Sequence, residues 1–141
     1  MNESFRARIG NLIEQYVCQD KGLFYNNRQK TRGFYDCYDN KGIYEIKSIK
    51  MNGKNAQRIY ININNHKELC NNNGKYIIVC YNLINKDKEL TSISDIQILK
   101  DYVIEAKKLN KFIKSAKTEK YSNKNQKKYI RIKIQSIIKG V

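Results

Sequence analysis

The chain contains no proline, a single histidine and only 13 acidic residues against 28 lysines and arginines. The missing proline accompanies an abundance of Asn, Lys, Ile and Tyr, a compositional bias that carries no functional weight. The four cysteines, Cys18, Cys37, Cys70 and Cys80, form no CxxC pair and show no paired spacing with His66. That argues against a tetrahedral zinc site, whose ligands usually come in close pairs. No apolar leader opens the sequence, and no run approaches the roughly 18 apolar residues of a membrane span. The expectation is a cytoplasmic protein with reduced thiols and no membrane segment. At 141 residues, 40% of them hydrophobic, the chain has the material for one domain with a buried core.

The scarcity of acids leaves a formal charge of +15. A field of that size attracts and steers polyanions. Nucleic acid is the first partner class, an anionic membrane surface the second, and a basic surface fed by Lys-rich codon bias the plain alternative. The charge is uneven: residues 101–141 hold 11 Lys and one Arg against Asp101, Glu105 and Glu119. Phosphate contacts are therefore expected in the C-terminal third.

Periodicity predicts an α/β domain. Phe5, Ile9, Leu12, Ile13, Tyr16 and Val17 mark one face of an N-terminal helix that Gly22 should stop. "LFYNNRQ" reads as a short strand, and residues 33–39 and 43–50 as two strands about the turn "DNKG". "QRIYINI" is a further strand, followed by a short helix capped by Asn65 with Glu68 three residues on. The near-continuous apolar run "KYIIVCYNL" has the look of a central strand covered on both sides. From Ser94, boxed with Gln97, the spacing of Leu99, Tyr102, Val103, Ala106, Leu109 and Ile113 predicts a long amphipathic helix. "KKYIRIKIQSII" then alternates, with Ile130, Ile132 and Ile134 inward and Arg131, Lys133 and Gln135 outward. The sum is a mixed sheet with helices on both faces, ending in a long helix and a strand.

The hairpin at residues 33–50 carries the chemistry. With Asn40 and Lys41 as loop residues, Asp39 faces Gly42 and Asp36 faces Glu45. Lys47 shares the face of Glu45, because side chains alternate along a strand. Facing acids repel unless something lies between them, and a cation there turns the penalty into a binding site. Oxygen donors favour a hard ion such as Mg²⁺. Lys47 can orient or help deprotonate an attacking water and stabilise charge that grows at phosphorus. Asp39, three residues from Asp36 and at the turn, should point to the other face.

An acid followed by "EIK" across a turn resembles the hairpin of the PD-(D/E)xK nuclease superfamily, with Asp36, Glu45 and Lys47 in the motif positions. Tyr35 stands where the family name has proline. The helix "RIGNLIEQYV", then "GLFYNNRQ", and the strand–helix–strand run "IYININNHKEL" to "KYIIVCY" extend the resemblance over about residues 6–82, in the manner of type II restriction endonucleases. It implies a restriction-endonuclease-like fold, with one nuclease domain over residues 1–141. The catalytic core would span about 3–83, and a basic DNA-contacting part about 94–141. It further implies that Asp36, Glu45 and the Ile46 carbonyl hold Mg²⁺, that Lys47 serves the water, and that Glu14 on the first helix assists. Glu14 also reads as a solvated surface residue, lying opposite the helix's main apolar face.

Several candidates lie outside the hairpin. Arg131, Lys133 and Gln135 either reach base edges in a major groove or solvate an edge strand. Lys107, Lys108, Lys111 and Lys114 are phosphate neighbours on the long helix. His66 is expected at the surface, and the 11 tyrosines suit either stacking on unpaired bases or ordinary core positions. Three functions follow: a Mg²⁺-dependent type II restriction enzyme cutting double-stranded DNA as a homodimer, a structure-selective nuclease such as a Holliday junction resolvase or repair enzyme, or a basic DNA-binding module without chemistry.

Overall fold

A computed structural model describes residues 3–26, 33–53, 58–84, 92–115, 118–120 and 128–139. The elements run α1 (Glu3–Lys21), β1 (Phe24–Tyr25), β2 (Cys37–Asp39), β3 (Gly42–Lys50), β4 (Arg58–Asn62), α2 (Ile63–Asn71), β5 (Lys75–Leu83), β6 (Ile96–Glu105), α3 (Asn110–Ser115), β7 (Thr118–Lys120), β8 (Lys128–Lys133) and α4 (Ile134–Lys139). The five-stranded sheet has the order β1-β2-β3-β5-β6, and a smaller one the order β4-β8-β7. Only β3 and β5 run parallel in the large sheet, its other pairings being antiparallel, so that sheet is mixed as expected.

Two cores lie on its opposite faces. On one, Phe5, Ile9, Ile13 and Val17 of α1 pack against Tyr44, Ile46, Ile77 and Val79. On the other, Ile49, Tyr76 and Ile78 meet Ile59 and Ile61 of β4, Leu69 of α2, Ile130 and Ile132 of β8, and Ile137 of α4. β5 has both faces buried, which is why its sequence is apolar almost without interruption. Gly22, at φ +66, ends α1 in the left-handed region, and the Leu23 N–H returns 2.8 Å to the Cys18 carbonyl.

The chain departs from the sequence reading in several places, among them the first hairpin strand, which covers only Cys37–Asp39 of the expected 33–39. Residues 94–116 do not form a long helix: Ile96–Glu105 is a strand, and Asn110–Ser115 one short helix. Leu99 and Val103, expected on a buried helical face, are exposed at 46% and 48%. Inward positions follow strand alternation, and a register shift opposite Cys80/Tyr81 moves them between cores: Ile96 and Ile98 face α1, whereas Tyr102 and Ile104 face the other layer. α2 begins one turn earlier than expected, since Asn62, not Asn65, is its cap: the Asn62 side chain accepts from the Asn65 N–H at 3.0 Å. β8 stops at Lys133, so Gln135 lies on α4, and β8 is the middle strand of its sheet, not an edge.

The turn after α2 leaves no room for a side chain at Gly74. Its N–H donates to the Leu69 carbonyl at 2.7 Å, and a Cβ there would sit 2.7 Å from Leu69 Cγ, a fully buried group. Gly74→Ala is expected to destabilise the protein by about 1–3 kcal/mol through overpacking. Denaturant melts should show that loss, with function per folded molecule retained.

Candidate active site

β2 begins only at Cys37, so Asp36 lies just outside the strand and its side chain is released from the ladder. The Asp36 backbone still bridges its neighbours: its N–H donates to the Tyr44 carbonyl at 2.8 Å, and its carbonyl accepts from the Asn26 N–H at 2.9 Å. Its side chain replaces the missing strand and accepts the Ile46 N–H through Oδ2 at 2.7 Å. The carboxylate is thus pinned to the edge of β3 beside Glu45 and Lys47. The turn has the expected register, Asp39 opposite Gly42 and Tyr38 opposite Ile43. Asp39 serves the turn itself, accepting from Lys41 N–H, Gly42 N–H and the Tyr44 hydroxyl at 2.8, 3.1 and 3.2 Å.

Glu45 and Lys47 lie on the same face of β3, with Lys47 Nζ 3.5 Å from Glu45 Oε1. Their side chains are 16% and 24% exposed, so water only partly screens them. Burial pushes the Glu45 carboxyl upward and Asp36 pushes it further, while Lys47 opposes both. Burial likewise raises Asp36, against the Ile46 N–H and Lys47.

Glu14 belongs to this group, not to open solvent. It flanks the buried stripe of α1 and is half-buried, with the Tyr25 hydroxyl donating to Oε2 at 2.8 Å. Desolvation first, then Asp36, raise its pKa to about 7, with a smaller push from Glu45. Tyr25 had no motif to announce it, being tied to Glu14 only through the pairing of β1 with β2.

Three carboxylates at −3 and one ammonium at +1 leave this corner at a formal −2 when all are ionised. Within a protein of +15, this corner is a local reversal of sign, and the mutual repulsion of its carboxylates adds to the cost of ionising them. The all-oxygen donor set, carboxylates with one Asp36 oxygen not engaged by Ile46, suits a hard ion that keeps part of its water. Among the described residues no ready-made cluster of three His, Cys, Asp or Glu ligands exists, so water and substrate oxygens must complete any coordination shell.

The remaining candidates lie on other elements. Arg131 and Lys133 are on β8, opposite Tyr60 and Arg58 of β4. Lys107 donates to Asn73 Oδ1 at 2.8 Å, and Lys111 lies over the Phe112 ring at 5.1 Å. Lys114 falls in α3, but its side chain is outside the described residues. His66, expected at the surface, is 4% exposed. Its ring bonds the Tyr76 hydroxyl through Nδ1 and Asn110 Oδ1 through Nε2, each at 2.7 Å, and burial lowers its pKa, which suits a neutral imidazole in the core.

The family model for the PD-(D/E)XK nuclease superfamily domain matches residues 1–139. No curated protein matches the chain. The chain belongs to the PD-(D/E)XK nuclease superfamily, and its domain is a nuclease domain.

Proposed function

We propose that the protein is a Mg²⁺-dependent endonuclease that hydrolyses phosphodiester bonds in double-stranded DNA, with Asp36, Glu45 and the Ile46 carbonyl as metal ligands and Lys47 and Glu14 as their catalytic partners. The single observation behind this reading is the Asp36 carboxylate held on β3 by the Ile46 N–H, next to Glu45 and Lys47. Mg²⁺ would supply Lewis-acid charge stabilisation at the phosphate.

The rest is work for the chain's own groups. Lys47, fixed by Glu45, orients the attacking water and stabilises negative charge that grows on the phosphate oxygens. Glu14, positioned by Tyr25, assists by holding a proton or a water at the edge of the same corner. Lys107, Lys111 and Lys114 provide phosphate contacts, and Arg131, Lys133 and Gln135 approach DNA from the smaller sheet and α4. A chain of this size covers about half of a palindromic site, so cutting both strands of a restriction site calls for a homodimer. Four unpaired cysteines suit work in the cytoplasm.

A structure-selective nuclease is the second reading, favoured by Phe24 and Tyr38, which are 64% and 42% exposed beside the catalytic hairpin. Incubation of plasmid and branched DNA with Mg²⁺ separates the two. Discrete fragments ending at one short sequence are the restriction outcome, and cutting confined to branched or unpaired DNA the structure-selective one. Binding to both without any cutting would overturn the nuclease mechanism.

A further inference from the structure

The large sheet presents an aromatic row beside the catalytic pair. Ile43, Glu45 and Lys47 alternate on one face of β3. Tyr38 is the register partner of Ile43, and Phe24 the partner of Tyr38, so these side chains cross the sheet one step from Glu45. The Phe24 and Tyr38 rings lie 5.6 Å apart, tilted by 31°. A cleft of about 590 Å³ opens beside them, lined by Tyr25, Tyr35, Tyr38 and Lys41 among others.

Phe24 and Tyr38 gain a cross-strand ring contact, yet both keep much of their surface in solvent, which leaves their outer faces open to a ligand. Lys41 and Asp39 both line this cleft, so the rings themselves are its distinctive surface, while the protein as a whole carries +15 for the phosphates. The ligand that joins flat apolar rings to negative charge is a nucleotide. In a paired duplex the base faces are hidden within the stack, so the exposed rings suit a base that has left it.

We infer that Phe24 and Tyr38 form a stacking platform for an unpaired nucleobase next to the scissile phosphate, so that within double-stranded DNA a site carrying an unpaired nucleotide is bound more tightly than a fully paired one. The inference rests on the nuclease reading for the position of the phosphate, but the platform can be tested without cleavage. It also assigns a role to the aromatic content that the catalytic hairpin leaves unused.

The probe is duplex DNA carrying 2-aminopurine either as a single unpaired bulge or within a fully paired tract, bound by the full chain in the presence of EDTA. The wild type is expected to quench the bulged probe and bind it roughly tenfold or more tightly than the paired one, the scale of base–aromatic stacking. The doubly substituted Phe24→Ala/Tyr38→Ala protein should lose that preference while binding the paired duplex as before. A Phe24→Tyr/Tyr38→Phe protein should keep it, which separates lost stacking from lost folding. Equal binding of both probes by the wild type, or a preference that survives the double alanine substitution, overturns the platform. Absence of Mg²⁺-dependent cutting with the preference intact overturns only the hydrolytic reading.

Discussion

Replacing Lys47 with alanine is expected to leave the protein folded and to lower its DNA cleavage by about 10²–10³-fold, the usual loss when one preorganised group that stabilises developing charge is removed. Lys47 is 24% exposed and belongs to neither core, so its truncation opens no cavity in either. Folding should therefore survive, and a melt of the variant should resemble that of the wild type. DNA binding should change little, since one charge among +15 contributes only a small share of phosphate attraction. The informative result is the split: turnover falls and affinity stays. A variant that cuts at the wild-type rate would remove Lys47 from the mechanism.

The second large effect concerns stability, and its sign follows from the acids. Asp36, Glu45 and Glu14 are all raised, first by burial. An acid whose folded pKa lies above its unfolded one favours the fold while protonated, and that contribution is lost as pH rises through the folded value. For Glu14 the window runs from 4.5 to about 7. After allowance for its partial exposure, the metal-free protein should lose on the order of 1–2 kcal/mol from this group across that range. Glu14→Gln should flatten the loss.

At pH 8, above the Glu14 value, Mg²⁺ should return stability as a ligand of the folded state, by about 2.7 kcal/mol at one hundred times its dissociation constant. Thermal melts with Mg²⁺ and with EDTA measure this directly. Asp36→Asn should melt higher than the wild type without metal, because it relieves repulsion, and should gain little from Mg²⁺. A wild-type Tm indifferent to both pH and Mg²⁺ would contradict the assignment.

The hairpin could be read from the sequence because its information is local. "DNKG" defines the turn, the turn defines the register, and the register places Asp36 near Glu45. β5 was legible for the same reason, its apolar run being long enough to demand cover on both sides. β6 was not, because Leu99, Tyr102, Val103 and Ala106 satisfy a helical spacing as well as Ile96, Ile98, Tyr102 and Ile104 satisfy a strand's. A bulge changes the inward set midway, and pairing with β5 decides the matter. The burial of His66 depends on Asn110, 44 residues away, which no local pattern reveals. Glu14 looked peripheral on its helix until Tyr25 and the end of β2 closed around it.

The aromatic row was not legible: the turn sets only Tyr38 opposite Ile43, whereas Phe24 reaches Tyr38 through the pairing of β1 with β2, and the exposure of both rings came only with the packed fold. The basic residues on β8 and around α3 were identifiable as charge, and the placement of β8 in a second sheet with β4 and β7 was not.

The most direct test compares cleavage of DNA by the wild type and by Asp36→Asn over a series of Mg²⁺ concentrations, with EDTA as the zero point. The wild type should cut only when Mg²⁺ is present, and Asp36→Asn should stay inactive throughout the series while binding DNA normally. Cutting that persists in EDTA, or that Asp36→Asn performs at the wild-type rate, would contradict a cation held between Asp36 and Glu45.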